Sequence, residues 1–269
     1  MPWACTTSGS PFPPRTREAQ LDEKWAFVAK KEANCDPADP ADDRKGDHWD
    51  HVALDPEHRL VKSVVPGKRT AENTGALVQD LRKRTSGRLM DLITTDEYAP
   101  YRGAILEAYG ETVTPPRSGK RGRPRKSSKV PPAGLTDATV HKTRSKGRVV
   151  KVEPRVIFGT AEAVSTALAR SASSRAVNTS FVERQNGTDR NRNARKARKS
   201  YCFSKDWSVH QAITYFTMYS YNFCWPVRTL RVKGEDGTWQ RRTPAMAAGL
   251  SDHVWSLSEW LTLPAVHQK

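Results

Sequence analysis

Between residues 21 and 110 the hydrophobic period switches from two to about 3.6 and back, which restricts the chain to a sheet packed against helices. "LDEKWAFVAKK" (21–31) alternates, with Glu23, Trp25 and Phe27 on one face and Asp22, Lys24, Ala26 and Val28 on the other, as in a strand. "DHWDHVALD" (47–55) and "RLVKSVVPG" (59–67) read as a hairpin about the turn "DPEH". "KRTAENTGALVQDLRKRTSG" follows as an amphipathic helix, capped by Thr70, lined by Leu77, Val78 and Leu81, and ended by Gly87. "RLMDLITTDEY" (88–98) is a buried-type strand that finishes at Asp96. A helix with Pro100 in its first turn comes next, Tyr101, Ile105, Leu106 and Tyr109 inward, and stops at Gly110.

Residues 111–150 break this pattern. From 115 to 151 the chain is rich in Pro, Gly, Ser and basic residues and poor in apolar ones, with Asp137 as its one acid. Like charges at that density repel, so a flexible, disordered insertion is expected. "RVVKVEPRVIFG" (148–159) resumes strand character, and "TAEAVSTALARSASS" suits a short helix. Further helices are expected from about Thr179 and within 204–225, the latter with Val209, Ile213 and Phe216 on one side. The whole is an α/β chain. A tail without fixed structure (1–17) precedes a domain at 18–230 whose mixed sheet, three antiparallel strands and then parallel ones, is flanked by helices. A helical clasp and tail closes it at 231–269.

Several classes are disfavoured. No run of 18 apolar residues exists, and "MPWACTTSGSPFPPRTR" lacks the apolar centre of a signal peptide. Cys5, Cys35, Cys202 and Cys224 form no CxxC pair, so a zinc ribbon or a disulfide framework is not expected. The cysteines should be reduced packing residues, and the histidines form no HxxxH or HxxH metal pattern. A cytoplasmic protein results.

Charge points to the partner. Lys and Arg number 45 against 29 Asp and Glu, a formal net charge of +16, which favours a polyanion, nucleic acid first. The bases cluster in two places. In "NTSFVERQNGTDRNRNARKARKSYCF" (178–203), Arg184, Arg190, Arg192, Arg195, Lys196, Arg198 and Lys199 follow Glu183 with only Asp189 against them. On a helix Glu183, Asn186 and Arg190 share one face, a track for DNA or a solvated charged surface. In "GKRGRPRKSS" (119–128), Arg121, Arg123, Arg125 and Lys126 surround an R-G-R-P core that resembles an AT-hook, whose arginines enter the A·T minor groove.

Three acids stand apart. Asp96 ends a strand, where α/β sheets bind ligands, although a turn Asp there also serves the backbone. Asp22 lies on the strand face that carries Ala26 and Val28, where a carboxylate is costly unless paired or metal-bound, with Glu23 beside it as a competitor. Asp55 is a further rival, but Pro56 gives it a turn role. Glu183 can form a capping box with Ser180 or serve a site. The three converge if the two strands are neighbours and the helix crosses them.

Together "LDEKWAFVAKK", "TTDEYAPY", "NTSFVERQNGTDRNRNARKARKSYCFSK" and "YNFC" resemble the DDE transposases of the bacterial insertion sequence 1 family and their relatives. There an L-D-E-x-W strand, a T-D-x-x-x-x-Y strand end and an F-V-E-R-x-N helix start supply three catalytic carboxylates. The likeness covers roughly 17–250, without 111–150. It implies a ribonuclease-H-like fold, Asp22, Asp96 and Glu183 as catalytic metal ligands, and two Mg²⁺ (or Mn²⁺) ions, with Asp22 bridging both. It also implies cleavage and strand transfer of an insertion sequence, with element ends and target DNA as partners, nucleoid association and a homo-oligomer. The family's upstream DNA-binding domain has no counterpart in the sequence, so a separate one is an expected partner. The alternatives are a catalytically inert, decayed or domesticated DNA-binding protein, and a ribonuclease-H-like nuclease or resolvase.

Overall fold

A computed structural model describes residues 16–115, 125–197 and 199–262. Its centre is strand β1 (Glu18–Val28), which pairs antiparallel with β2 (Gly46–Asp55), itself antiparallel with β3 (Leu60–Gly67). Helix α1 (Ala71–Arg84) then leads to β4 (Leu92–Asp96), which lies parallel to β1 on its other side. The Thr70 hydroxyl caps α1 by accepting the Asn73 N–H, and Leu77, Val78 and Leu81 are fully buried, as their spacing predicts. Gly87 closes the helix at a φ of 72°, a conformation glycine adopts without strain. Helix α2 (Pro100–Tyr109) follows β4 and packs with α1 on one face of the sheet, over Leu21, Ala53 and Ile93.

The described residues 111–115 and 125–150 correct the expectation of a disordered insertion there. Short strands β5 (Glu111–Val113) and β6 (Ser128–Val130) pair with each other, and β7 (Asp137–Ser145) joins the main sheet parallel to β4. The strand read at 148–159 is β8 (Arg148–Phe158), an antiparallel edge partner of β7 rather than a parallel strand. The resulting six-stranded mixed sheet has the order β3-β2-β1-β4-β7-β8. Residues 116–124, with Arg121 and Arg123 of the hook-like motif, lie outside the described residues, as does Arg198. Arg125 and Lys126 are exposed.

Helix α3 (Ala161–Arg170) covers Leu92 and Ala138 on the second face. Helices α4 (Ser180–Arg192) and α5 (Trp207–Cys224) cover β1–β3 there, with Val182, Met218 and Tyr219 against Val52, Leu54 and Val61. The inward face of α5 is His210, Thr214, Thr217, Met218 and Tyr221, whereas Val209 is exposed. The apolar stripe Val209, Ile213 and Phe216 therefore marks the wrong side. The sheet beneath α5 carries charges, so polar residues complement it. The two-residue strands β9 (Val232–Lys233) and β10 (Trp239–Gln240) form a small hairpin, and the helices α6 (Pro244–Ala247) and α7 (Leu257–Thr262) close the chain. Cys35, Cys202 and Cys224 are free, and Cys202 is exposed, so these cysteines do not fill the core. Among the described residues no helix is long and apolar enough to cross a membrane.

Asp137, at the start of β7, is buried with no partner for Oδ1, and burial pushes its carboxyl up to about 7. The folded chain thus holds this proton more tightly than the unfolded chain, where the value is near 3.8. The stability from that difference is complete below the unfolded value and is lost as pH rises through about 7. Asp137→Asn should therefore raise the melting temperature above pH 7 and matter little in mild acid. Equal shifts at both ends of a pH series of melts would remove Asp137 as the cause.

Candidate active site

Alternate residues of β1 fasten α4 at three points. The Gln20 carboxamide oxygen accepts the N–H groups of Phe181 (3.0 Å) and Val182 (3.2 Å). One pleat on, Asp22 Oδ2 accepts from Asn186 Nδ2 (2.8 Å). One further pleat on, the Lys24 ammonium pairs with Asp189. Two strand residues advance about 6.6 Å and four helical residues about 6 Å, so each pleat meets successive turns of a helix that runs with the strand. Glu183 is thereby carried above the sheet.

Register does the same for the two aspartates. Leu21 of β1 pairs with Thr95 of β4, so Asp22 and Asp96 occupy the next positions on neighbouring parallel strands and share a face. Burial, then the Asp96 charge, with Glu183 also contributing, push the Asp22 carboxyl up to about 6. Asp96 is raised as well, chiefly by burial, although it accepts the Tyr98 N–H (3.2 Å) and lies 3.9 Å from the Arg69 guanidinium.

Glu183 points neither to Ser180 nor into a closed cluster with the aspartates. The Ser180 N–H donates to Asn178 Oδ1 (3.0 Å), so the capping box does not form. Glu183 Oε1 instead accepts from the Thr179 hydroxyl (2.9 Å) and from Lys142 of β7 (2.6 Å). Among the described residues no three His, Cys, Asp or Glu side chains stand close enough to hold a metal ion as a group.

The donor chemistry nevertheless suits a hard cation. Asp22 and Asp96 are half-buried carboxylates, the Asp96 charge raises the Asp22 carboxyl and the Glu183 charge raises both, and buried Asn186 Oδ1 beside Asp22 has no hydrogen-bond partner. Glu183 is about half exposed and would offer a third oxygen donor only with its side chain released from Lys142.

The strand period separates Asp22 from Glu23. Glu23 faces α2, where Arg69 donates to it through Nε (3.2 Å) and a terminal nitrogen (3.0 Å). Burial, then the Asp96 charge, push it up to about 7. Arg69 stacks on Tyr98 at 4.0 Å, and the Tyr98 hydroxyl donates to the Arg69 carbonyl. Asp55 keeps its turn role, accepting the N–H groups of Glu57 and His58.

The basic track divides. Arg184, Arg195 and Lys199 are exposed, and Arg190 and Arg192 are half-buried. Asn186 is turned inward to Asp22. Lys196, expected on DNA, is buried against Asp50 and Thr214. The residues that sequence reasoning missed are Gln20, Arg69 and Lys142. Gln20 carries no local signal, because its partners are 161 and 162 residues away. Lys142 was legible only as one base among many. Compared with known proteins, the chain matches no family model and no curated protein.

Proposed function

We propose that the chain is a metal-dependent DNA phosphoryl-transfer enzyme, a DDE-type transposase with a ribonuclease-H-like catalytic domain. The observation that carries this is the register placing Asp22 beside Asp96 on adjacent parallel strands, with α4 fastened so that Glu183 lies over them. The strand order and the family resemblance of the three motifs agree with it. Asp22, Asp96 and Glu183 would hold Mg²⁺ or Mn²⁺, which in such sites activates the attacking oxygen and stabilises the leaving one. Asn186 orients Asp22, and Lys142 keeps Glu183 paired until substrate phosphate competes for the ammonium. Arg184, Arg195 and Lys199 offer phosphate contacts. In the reaction a water oxygen bonds to a phosphodiester phosphorus, the 3′-oxygen leaves as a hydroxyl, and that hydroxyl then attacks a target phosphodiester, whose own 3′-oxygen leaves and takes up the proton.

Glu183's pairing with Lys142 is the observation that favours the inert DNA-binding alternative. The test is joining of a labelled 3′-OH oligonucleotide to supercoiled plasmid with Mg²⁺ or Mn²⁺, against EDTA. Joined product is expected. Nicking without joining indicates a nuclease. Folded, DNA-bound protein that neither nicks nor joins leaves the inert reading.

A further inference from the structure

A second polar site lies on the other side of α4. A cavity of about 500 Å³ is bounded by the β2–β3 turn, α4 and the end of α5, and another of about 620 Å³ adjoins it. The two share Trp225, Pro226, Val227 and Arg228, so they form one groove. Arg59, Arg184, Arg228, Arg231 and Arg241 line it, and no acidic side chain does. Among the described residues none of these five arginines is in an ion pair. Arg59 is held by its turn at a φ of 56°, with its guanidinium 3.9 Å above the Phe181 ring and donating to the Pro56 carbonyl.

The groove also presents two indoles. Trp225 is 48% and Trp239 55% exposed, although exposed tryptophan is uncommon. Each carries a guanidinium at 4.1 Å, Arg192 on Trp225 and Arg231 on Trp239. Unpaired arginines recognise phosphate through their planar fork, and half-open aromatic rings take the faces of bases. A duplex hides its base faces inside the stack. An acidic peptide meets the charge but leaves the indoles uncovered.

We infer that this groove binds single-stranded nucleic acid, with the arginines on its phosphates and with Trp225 and Trp239 stacking on its bases. Glu183 and Arg184 are consecutive in α4, so the strand site begins one residue from Glu183, while none of Asp22, Asp96 and Glu183 lines it. The inference needs no metal and does not rest on the catalytic reading.

Binding of fluorescent single-stranded DNA and RNA oligonucleotides, and of the matching duplex, is measured in EDTA with the full chain. Trp225→Ala/Trp239→Ala should weaken single-strand binding by roughly tenfold or more and duplex binding little. The Phe versions of both should retain most of the affinity. Arg228→Gln/Arg231→Gln should flatten the salt dependence by about 0.7 per lost phosphate contact. If Trp225→Ala disturbs folding, Trp239→Ala alone, in the exposed β9–β10 hairpin, carries the test. Unchanged single-strand affinity in the Trp variants, equal losses for duplex, or equal competition by polyglutamate would overturn the proposal. Repeating the measurement in Asp22→Asn separates it from the cleavage reading, because single-strand affinity should not change there.

Discussion

Asp22→Asn and Asp96→Asn should each lower Mg²⁺-dependent DNA nicking and joining by more than the roughly 10–100-fold that losing a residue which merely orients a metal ligand costs. Asn keeps the shape and one acceptor but loses the charge that holds a divalent cation. Folding should not suffer. Burial raises both carboxyls, so at neutral pH the folded chain bears a cost for ionising them that Asn removes. Melting temperatures equal to or above the parent's, with activity gone, are therefore the expected pair of results. Glu23→Gln is the internal control, one residue along and on the α2 face beside Arg69, and should cost less than either aspartate. Glu183→Gln decides the standing of the third carboxylate. If Glu183 only pairs with Lys142, its loss leaves the activity near the parent's. If it joins the cation, the activity falls with that of the aspartates. Equal activity in Asp96→Asn and parent would sink the enzyme reading outright.

What could be read in advance follows from where each signal resides. Helix α1 was legible because its cap, its apolar stripe and its glycine stop all lie within one stretch, and Thr70, Leu77, Leu81 and Gly87 act locally. The hairpin of β2 and β3 was legible for the same reason. Strand β7 was not, because "DATVHKTRS" sits among bases and its burial comes from β4 and α3 rather than from its own composition. The face of α5 was misread because its partner surface is ionic. His210 and Thr214 look like the solvent side until Asp50 and Lys196 are placed beneath them. Of the candidate site, the three acids could be singled out by their places at a strand start, a strand end and a helix start and were joined as a set by the family resemblance, but their surroundings could not be read. Gln20, Arg69 and Lys142 act through partners 41 to 162 residues away, and only the folded chain brings these together.

Asp50→Asn should be the most destabilising polar substitution in the chain. Asp50 is fully buried on β2, with Lys24 at 3.1 Å, the Lys196 ammonium in contact, and His210 Nε2 3.9 Å away. Burial alone would raise its carboxyl, but Lys196 and Lys24 together hold it below the usual carboxylate range. Asp189 completes the set, bonded to Lys24 and to the Thr217 hydroxyl (2.8 Å), so two ammonium groups face two carboxylates. Burial holds the His210 imidazole down at about 4, so it stays neutral at physiological pH. Removing one carboxylate leaves an uncompensated buried positive charge, which costs about 3–5 kcal/mol. In a domain of this size that lowers the melting temperature by about 6–20 °C. Asp50→Asn combined with Lys196→Met restores neutrality and should regain part of the loss, whereas strictly additive losses would show that the charges do not act as a unit. The consequence reaches the carboxylates. Lys24 is two residues beyond Asp22 on the same strand face, and its bond to Asp189 is the last of the three ties that hold α4 along β1. Asp50→Asn protein that is still folded at low temperature should therefore lose nucleic-acid cleavage as well, because Asn186 and Glu183 ride on the helix that the network fixes. Full activity in such protein would mean that Gln20 and Asn186 alone align α4.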